Sequence, residues 1–282
     1  MKSIYRHFQR VIALTIIVGA LPFVINVRAY AGESKYMDDP KKHVGLTYGA
    51  QATLQTAYIW RGLCAGGANI QVDANVGYGG LYADMWWNIG TTTWAFNKFQ
   101  PEVDFSLGFK RWGLNVFILY IHNFNCGFFD FSNYEGRGNR LELNAKYTIS
   151  SKIPLTFAWA TRISAADGYI DDNGDLKFAY SSYAEINYCQ ALPYGLSLTG
   201  AVGFSPWRSV YSFYKKQFVV NNIDIRLRKD WSASKHCGIA LMGQIALNPS
   251  VLSDDKTTAE WHPMNPGSQT INANIGMIVY LK

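Results

Sequence analysis

Beyond residue 31 the sequence contains no run of about 18 apolar residues, so no transmembrane helix is expected there. Cysteine is sparse. Cys64, Cys126, Cys189 and Cys237 stand far apart, with neither C-x-x-C nor zinc-ligand spacing, which argues against a redox motif or a structural zinc site. His43, His122, His236 and His262 are equally scattered and give no metal-ligand pair. No glycine-rich phosphate loop follows a strand and opens a helix, and no cofactor signature is present. Only nine prolines against 15% aromatic residues argue against disorder. Acidic residues are missing from the first 31 positions, which hold Lys2, Arg6, Arg10 and Arg28. Without that segment the formal charge of +6 falls to +2, so the basic pI is no argument for a nucleic-acid partner.

That first segment has the order of a secretory signal: a basic start, a mostly apolar stretch over 11–27, and Ala29-Tyr30-Ala31 as a cleavage site. The expected organisation is therefore a cleaved signal over 1–31, a polar periplasmic lead-in over 32–43, and one domain over 44–282.

The domain opens on 44–62, VGLTYGAQATLQTAYIWRG. Val44, Leu46, Tyr48, Ala50, Ala52, Leu54, Thr56, Tyr58 and Trp60 form one track, and Gly45, Thr47, Gly49, Gln51, Thr53, Gln55, Ala57, Ile59 and Arg61 the other. Side chains alternate faces along a strand, so the spacing predicts one long strand with an apolar and a polar face. An ordinary globular strand runs only about 5–6 residues. Apolar-out, polar-in, with aromatics near both ends is the pattern of a transmembrane barrel strand.

The same period recurs to the C-terminus. Leu141, Leu143, Ala145, Tyr147 and Ile149 oppose Arg140, Glu142, Asn144, Lys146 and Thr148. Ile271, Ala273, Ile275, Met277, Val279 and Leu281 oppose Thr270, Asn272 and Asn274. Trp112 is expected to open the fifth strand, Ile153 the seventh, Phe178 and Tyr180 the eighth, and Tyr194 the ninth. Twelve such segments fit the count, each long enough to cross the hydrocarbon layer at a tilt of about 45°. Connections alternate in length. Short ones fall at 77–80, 110–111, 150–152, 189–193 and 229–236; mostly longer ones fall at 63–68, 90–98, 125–139, 165–175, 205–217 and 248–269. The expected fold is all-β: a closed antiparallel transmembrane barrel with short periplasmic turns and longer extracellular loops. A soluble sandwich or lipocalin-like barrel is the alternative, and it has no reason to alternate its connections.

Thr56-Ala57-Tyr58-Ile59-Trp60-Arg61-Gly62, Gln71, Gly80-Leu81-Tyr82-Ala83-Asp84-Met85-Trp86-Trp87-Asn88 and Glu102-Val103-Asp104-Phe105-Ser106-Leu107-Gly108-Phe109 resemble the motifs of the TorF-type porin family of outer-membrane proteins. The likeness covers about 44–124, and Ala57 stands where that family carries an acidic residue. The resemblance implies an outer-membrane barrel with a channel role and names no substrate.

Tyr120-Ile121-His122-Asn123-Phe124-Asn125-Cys126-Gly127 is similar to the Tyr-x-His-x-Ser-Asn-Gly segment of outer-membrane phospholipase A, itself a twelve-stranded barrel. The nucleophile of that segment falls at Phe124, and a histidine with no neighbouring hydroxyl cannot run acyl transfer. Asp171-Asp172-Asn173-Gly174-Asp175 lacks both the residue order and the distal Glu of a calcium loop. No enzyme is expected.

The expected function is passive diffusion of small polar solutes across an outer membrane, with membrane lipid outside the barrel. Arg61, Asp73, Asp84, Glu102, Asp104, Arg140, Lys146, Arg162, Arg226 and Arg228 fall on polar tracks and are the candidate pore-lining residues. The rival is an occluded barrel acting through its loops as a structural or adhesion protein. Tyr82, Trp86, Phe117, Leu119, Ile121 and Tyr183 all point inward and carry much bulk for a twelve-stranded lumen. The four cysteines are candidates for disulfides, Cys64 with Cys126 at the outer side and Cys189 with Cys237 at the periplasmic rim.

Overall fold

The chain closes into a barrel of twelve antiparallel strands. Its structure, a computed structural model, describes residues 45–90, 101–122, 124, 126–131, 139–164, 167–252 and 270–281. The signal segment over 1–31 and the lead-in over 32–43 lie outside these residues.

In chain order the strands are β1 Leu46–Gln55, β2 Tyr58–Trp60, β3 Leu63–Gly66, β4 Asn69–Tyr78, β5 Leu81–Gly90, β6 Glu102–Arg111, β7 Leu114–His122, β8 Arg140–Thr148, β9 Leu155–Arg162, β10 Gly168–Ile170, β11 Leu176–Phe178, β12 Ser182–Leu192, β13 Leu196–Ser205, β14 Val219–Ser232, β15 Cys237–Leu247 and β16 Ile271–Leu281. The ring runs β1-β16-β15-β14-β13-β12-β9-β8-β7-β6-β5-β4 and returns to β1. Ten paired residues join β4 to β1, and β16 seals the other edge with Gln51 opposite Tyr280 and Leu54 opposite Met277. β2–β3 and β10–β11 form separate two-stranded sheets that are not part of this ring.

The alternation of side chains explains the wall. Along β16 every second residue is exposed, from Ile271 to Leu281, while Asn272, Asn274, Ile278 and Tyr280 are buried. The same outward track leaves Leu46, Leu107 and Ile275 about two-thirds exposed (65%, 68% and 68%). A barrel whose outer face is this apolar and whose polar residues turn inward is built for hydrocarbon, where closure also satisfies every strand edge.

Several boundaries differ from expectation for local reasons. Trp112 sits in the β6–β7 turn with positive φ, as does Tyr194 in the turn between β12 and β13. Both are exposed, 63% and 88%. Ile153 precedes β9, Phe178 belongs to the β10–β11 hairpin, and Tyr180 has positive φ just before β12. Short turns at one end therefore begin two residues later than 110–111 and four residues later than 189–193. The alternation of short and long connections itself holds.

One difference matters for function. The stretch 44–62 is not a single strand: the ring strand ends at Gln55, and the chain bends inward at Thr56-Ala57. The bend is held from β16. Ala57 N donates to Asn274 Oδ1 at 3.1 Å, and Ile275 N donates to Thr56 Oγ1 at 2.9 Å. Tyr58 and Trp60 leave the outer aromatic margin and enter the lumen. The period of two persists because β2 is itself extended, so the pattern cannot register the bend.

Candidate functional site

The β2–β3 hairpin turns on Arg61-Gly62, with Trp60 opposite Leu63. Both turn residues have positive φ, 51° and 81°, as a two-residue type I′ hairpin requires. Gly62 is needed for a second reason: a Cβ there would stand 2.0 Å from the carbonyl oxygen of Asn221 on β14. The turn is thus pressed against the β14 wall, three strands from β1 in the ring. Asn272 Nδ2 holds the Gly62 carbonyl at 3.4 Å.

Its size suits the space. Twelve strands about 4.8 Å apart, tilted about 40°, enclose a backbone diameter of about 24 Å. Packed β-layers lie about 10 Å apart, so a hairpin near the axis contacts both walls.

Charge fixes the hairpin. Arg61 donates from Nη1 and Nη2 to the two Glu142 oxygens of β8, at 3.2 and 2.9 Å. Asn144 Oδ1 takes a third bond at 3.3 Å. The guanidinium carbon lies 4.4, 5.1 and 4.7 Å from the ring centres of Trp60, Tyr183 and Tyr211. Tyr211 is brought in by the β13–β14 loop, where Asn221 Nδ2 holds its carbonyl at 3.0 Å. Its hydroxyl accepts from Arg61 and donates to Glu142. Glu142 and Tyr211 are both fully buried. Gly203 makes room for Tyr183, since a Cβ there would lie 2.1 Å from its hydroxyl oxygen.

Beside this latch Arg162 Nε lies 3.5 Å from Glu142 and its Nη1 4.0 Å from Asp167. Asp167, in the loop after β9, accepts from the Ser181 backbone and hydroxyl, each at 2.5 Å. Burial pushes its carboxyl above the usual carboxylate range, with Arg162 opposing. On the other flank Tyr58 donates to Glu102 at 3.0 Å and packs against Trp86 with ring centres 5.3 Å apart and planes tilted by 46°.

Towards the short-turn end the lumen opens into a cavity of about 770 Å³. Arg61, Asp73, Asp84, Lys146, Arg226 and Arg228 line it, with Trp60 and Gly62 at its inner limit and Gly79 and Gly80 at its mouth. Tyr82, Phe117, Leu119 and Tyr183 also line it. Glu102, Asp104, Arg140 and Arg162 do not. Arg140 and Arg162 are buried, 4% and 2% exposed, and Glu102 is engaged by the hairpin. The ten candidate residues therefore divide between a cavity wall and a buried polar plug. Sequence reasoning missed Glu142 and Tyr211 as the groups that hold the plug. Glu142 stood on a polar track of β8; nothing local marked Tyr211, which arrives from a loop.

All four cysteines carry free thiols in this structure. Cys64 is buried in β3, Cys126 lies in the loop after β7, and Cys237 opens β15. Cys189 sits within β12 and lines the cavity, a correction of its expected place in a rim turn.

His122 lies on the outward track of β7, buried, with Phe124 and Phe128 packed against its ring. Its Nδ1 pairs with Asn139 Oδ1 at 2.7 Å. Phe124 covers the ring at 4.5 Å and brings no nucleophile. Cys126 reaches the same Asn139 oxygen at 3.5 Å, but burial and Asp130 push its thiol up, away from thiolate. The Asp171 carboxylate caps its own loop, accepting from Asn173 N and Asp175 N at 2.9 Å.

No protein-family model matches the chain, and no curated protein matches it. Among solved structures it is similar to the NanC porin in a rhombohedral crystal form, with 11% sequence identity and a TM-score of 0.47, over 83% of this chain and 99% of that one.

Proposed function

We propose that this chain is an outer-membrane channel for small polar solutes whose path is closed at the long-loop end by the β2–β3 hairpin. The observation that carries it is the charged cavity of about 770 Å³ that reaches from the short-turn mouth to Arg61 and stops there. A protein serving only as a scaffold has no need of an interior cavity lined by carboxylates and guanidinium groups. The apolar outer belt supports membrane insertion, and the sequence resemblance to TorF-type porins agrees with both. Long loops then face outward and short turns the periplasm.

The second reading, an occluded barrel working through its loops, is favoured by one observation: Glu142 and Tyr211 are fully buried in the plug. Planar-bilayer conductance separates the two. The channel reading expects discrete openings from wild type that become longer when the latch is broken. A wild type and latch variants that are all silent would leave the occluded barrel.

A further inference from the structure

The cavity carries charges of both signs, and they differ in how far they are already satisfied. Asp73 and Asp84 stand on neighbouring strands, β4 and β5, with Asn75 opposite Asp84 and Trp86 opposite Asp73 in the register. They are therefore diagonal neighbours on one inner face. Asp73 accepts only a long bond from Asn75, 3.5 Å, and among the described residues no cation lies within ion-pair distance of either carboxylate. Across the ring, β14 is separated from β4 by β1, β16 and β15 on one side and by the remaining strands on the other. It presents Arg226 and Arg228. Arg228 is engaged by Asp230 through two bonds of 2.9 and 2.8 Å. Arg226 is not: its one ion pair, to Asp224, is loose at 3.7 Å, and its Nε has no hydrogen-bond partner among the described residues. Asp224 is itself occupied by Gln244. Two positions along the same track, beyond Asp224, Asn222 is 5% exposed and lines the cavity, and its buried Oδ1 lacks a partner among the described residues.

We infer that this cavity binds a small zwitterion, an amino acid or short peptide, with its ammonium towards Asp73 and Asp84 and its carboxylate towards Arg226. Two carboxylates with no counter-cation among the described residues attract an ammonium. A guanidinium that is held only loosely, with 42% of its side chain exposed, takes a carboxylate through its open amino groups. Low-dielectric walls between them strengthen the field that aligns such a molecule. The volume is within the range of small-ligand sites. The inference builds on the channel reading by naming what passes, but its test is equilibrium binding rather than conduction, so the two can fail separately.

The experiment uses the full-length protein, folded in detergent micelles, and three probes that differ by one charge: glycylglycine, its N-acetyl derivative, and glycylglycinamide. Calorimetric titration is expected to show glycylglycine binding at least tenfold tighter than either singly charged probe. The pair Asp73→Asn with Asp84→Asn should reduce glycylglycine to the level of the N-acetyl probe. Arg226→Gln should reduce it to the level of the amide. Heat-modifiable migration on gels reports that each variant is folded, and the wild-type comparison of the three probes stands without the variants. Equal binding of all three, binding of none, or an amide that binds as well as glycylglycine would each overturn the inference. Binding with no conductance would keep it and remove the channel reading.

Discussion

Replacing Glu142 with Gln should release the hairpin from the lumen. Glu142 is fully buried and Arg61 nearly so, with 11% of its side chain exposed, so solvent screening relieves little of the change. Removing one partner of a buried ion pair costs about 3–5 kcal/mol, because the other charge is left without compensation. Arg61 keeps its bond to Asn144 and its three aromatic faces, which places the loss near the lower end, about 3 kcal/mol. At about 1.4 kcal/mol per factor of ten, the detached population of the hairpin rises on the order of 100-fold. Two assays read this. Open probability in planar bilayers should rise in step, and amide exchange over Tyr58–Gly66 should accelerate while the ring strands stay protected. Removing both charges, Arg61→Met with Glu142→Met, should restore much of the closure, since an apolar pair of similar volume often substitutes for a buried ion pair at little cost. If Glu142→Gln leaves both the openings and the hairpin exchange unchanged, the ion pair does not hold the hairpin.

Gly62→Ala should mimic that release, because its Cβ would overlap the Asn221 carbonyl at 2.0 Å; combined with Glu142→Gln it should add little, and additive effects on exchange would show two separate events. In a salt gradient, Asp73→Asn with Asp84→Asn should move the reversal potential towards anion selectivity and Arg226→Gln towards cation selectivity, whereas unchanged potentials would place the path elsewhere. Cys189 should react with a small charged thiol reagent while buried Cys64 is protected; mass mapping that finds the reverse order would contradict the cavity's position.

The sequence by itself determined the wall. A period of two cannot be shifted by one residue without turning every apolar side chain inward, so the outward tracks of β8 and β16 could be assigned residue by residue. The recurrence of that period gave the strand number, and alternating connection lengths gave which end carries the loops. Charged residues on inward tracks, such as Asp73, Asp84 and Arg226, were legible for the same reason. What only the tertiary structure decided is which inward residues meet water and which meet one another. Alternation reports a side chain's face and says nothing of what occupies the space opposite. Arg61 and Glu142 are 81 residues apart, and Tyr211 is a further 69 beyond Glu142. Their contact depends on a bend at Thr56-Ala57 and on a loop that dips inward, both fixed by side chains of distant strands. Hence Glu102, Asp104, Arg140 and Arg162 shared a signature with the cavity residues, although they do not line the cavity. The physical reason is that a strand pattern encodes one surface, while a filled lumen is made where several such surfaces converge.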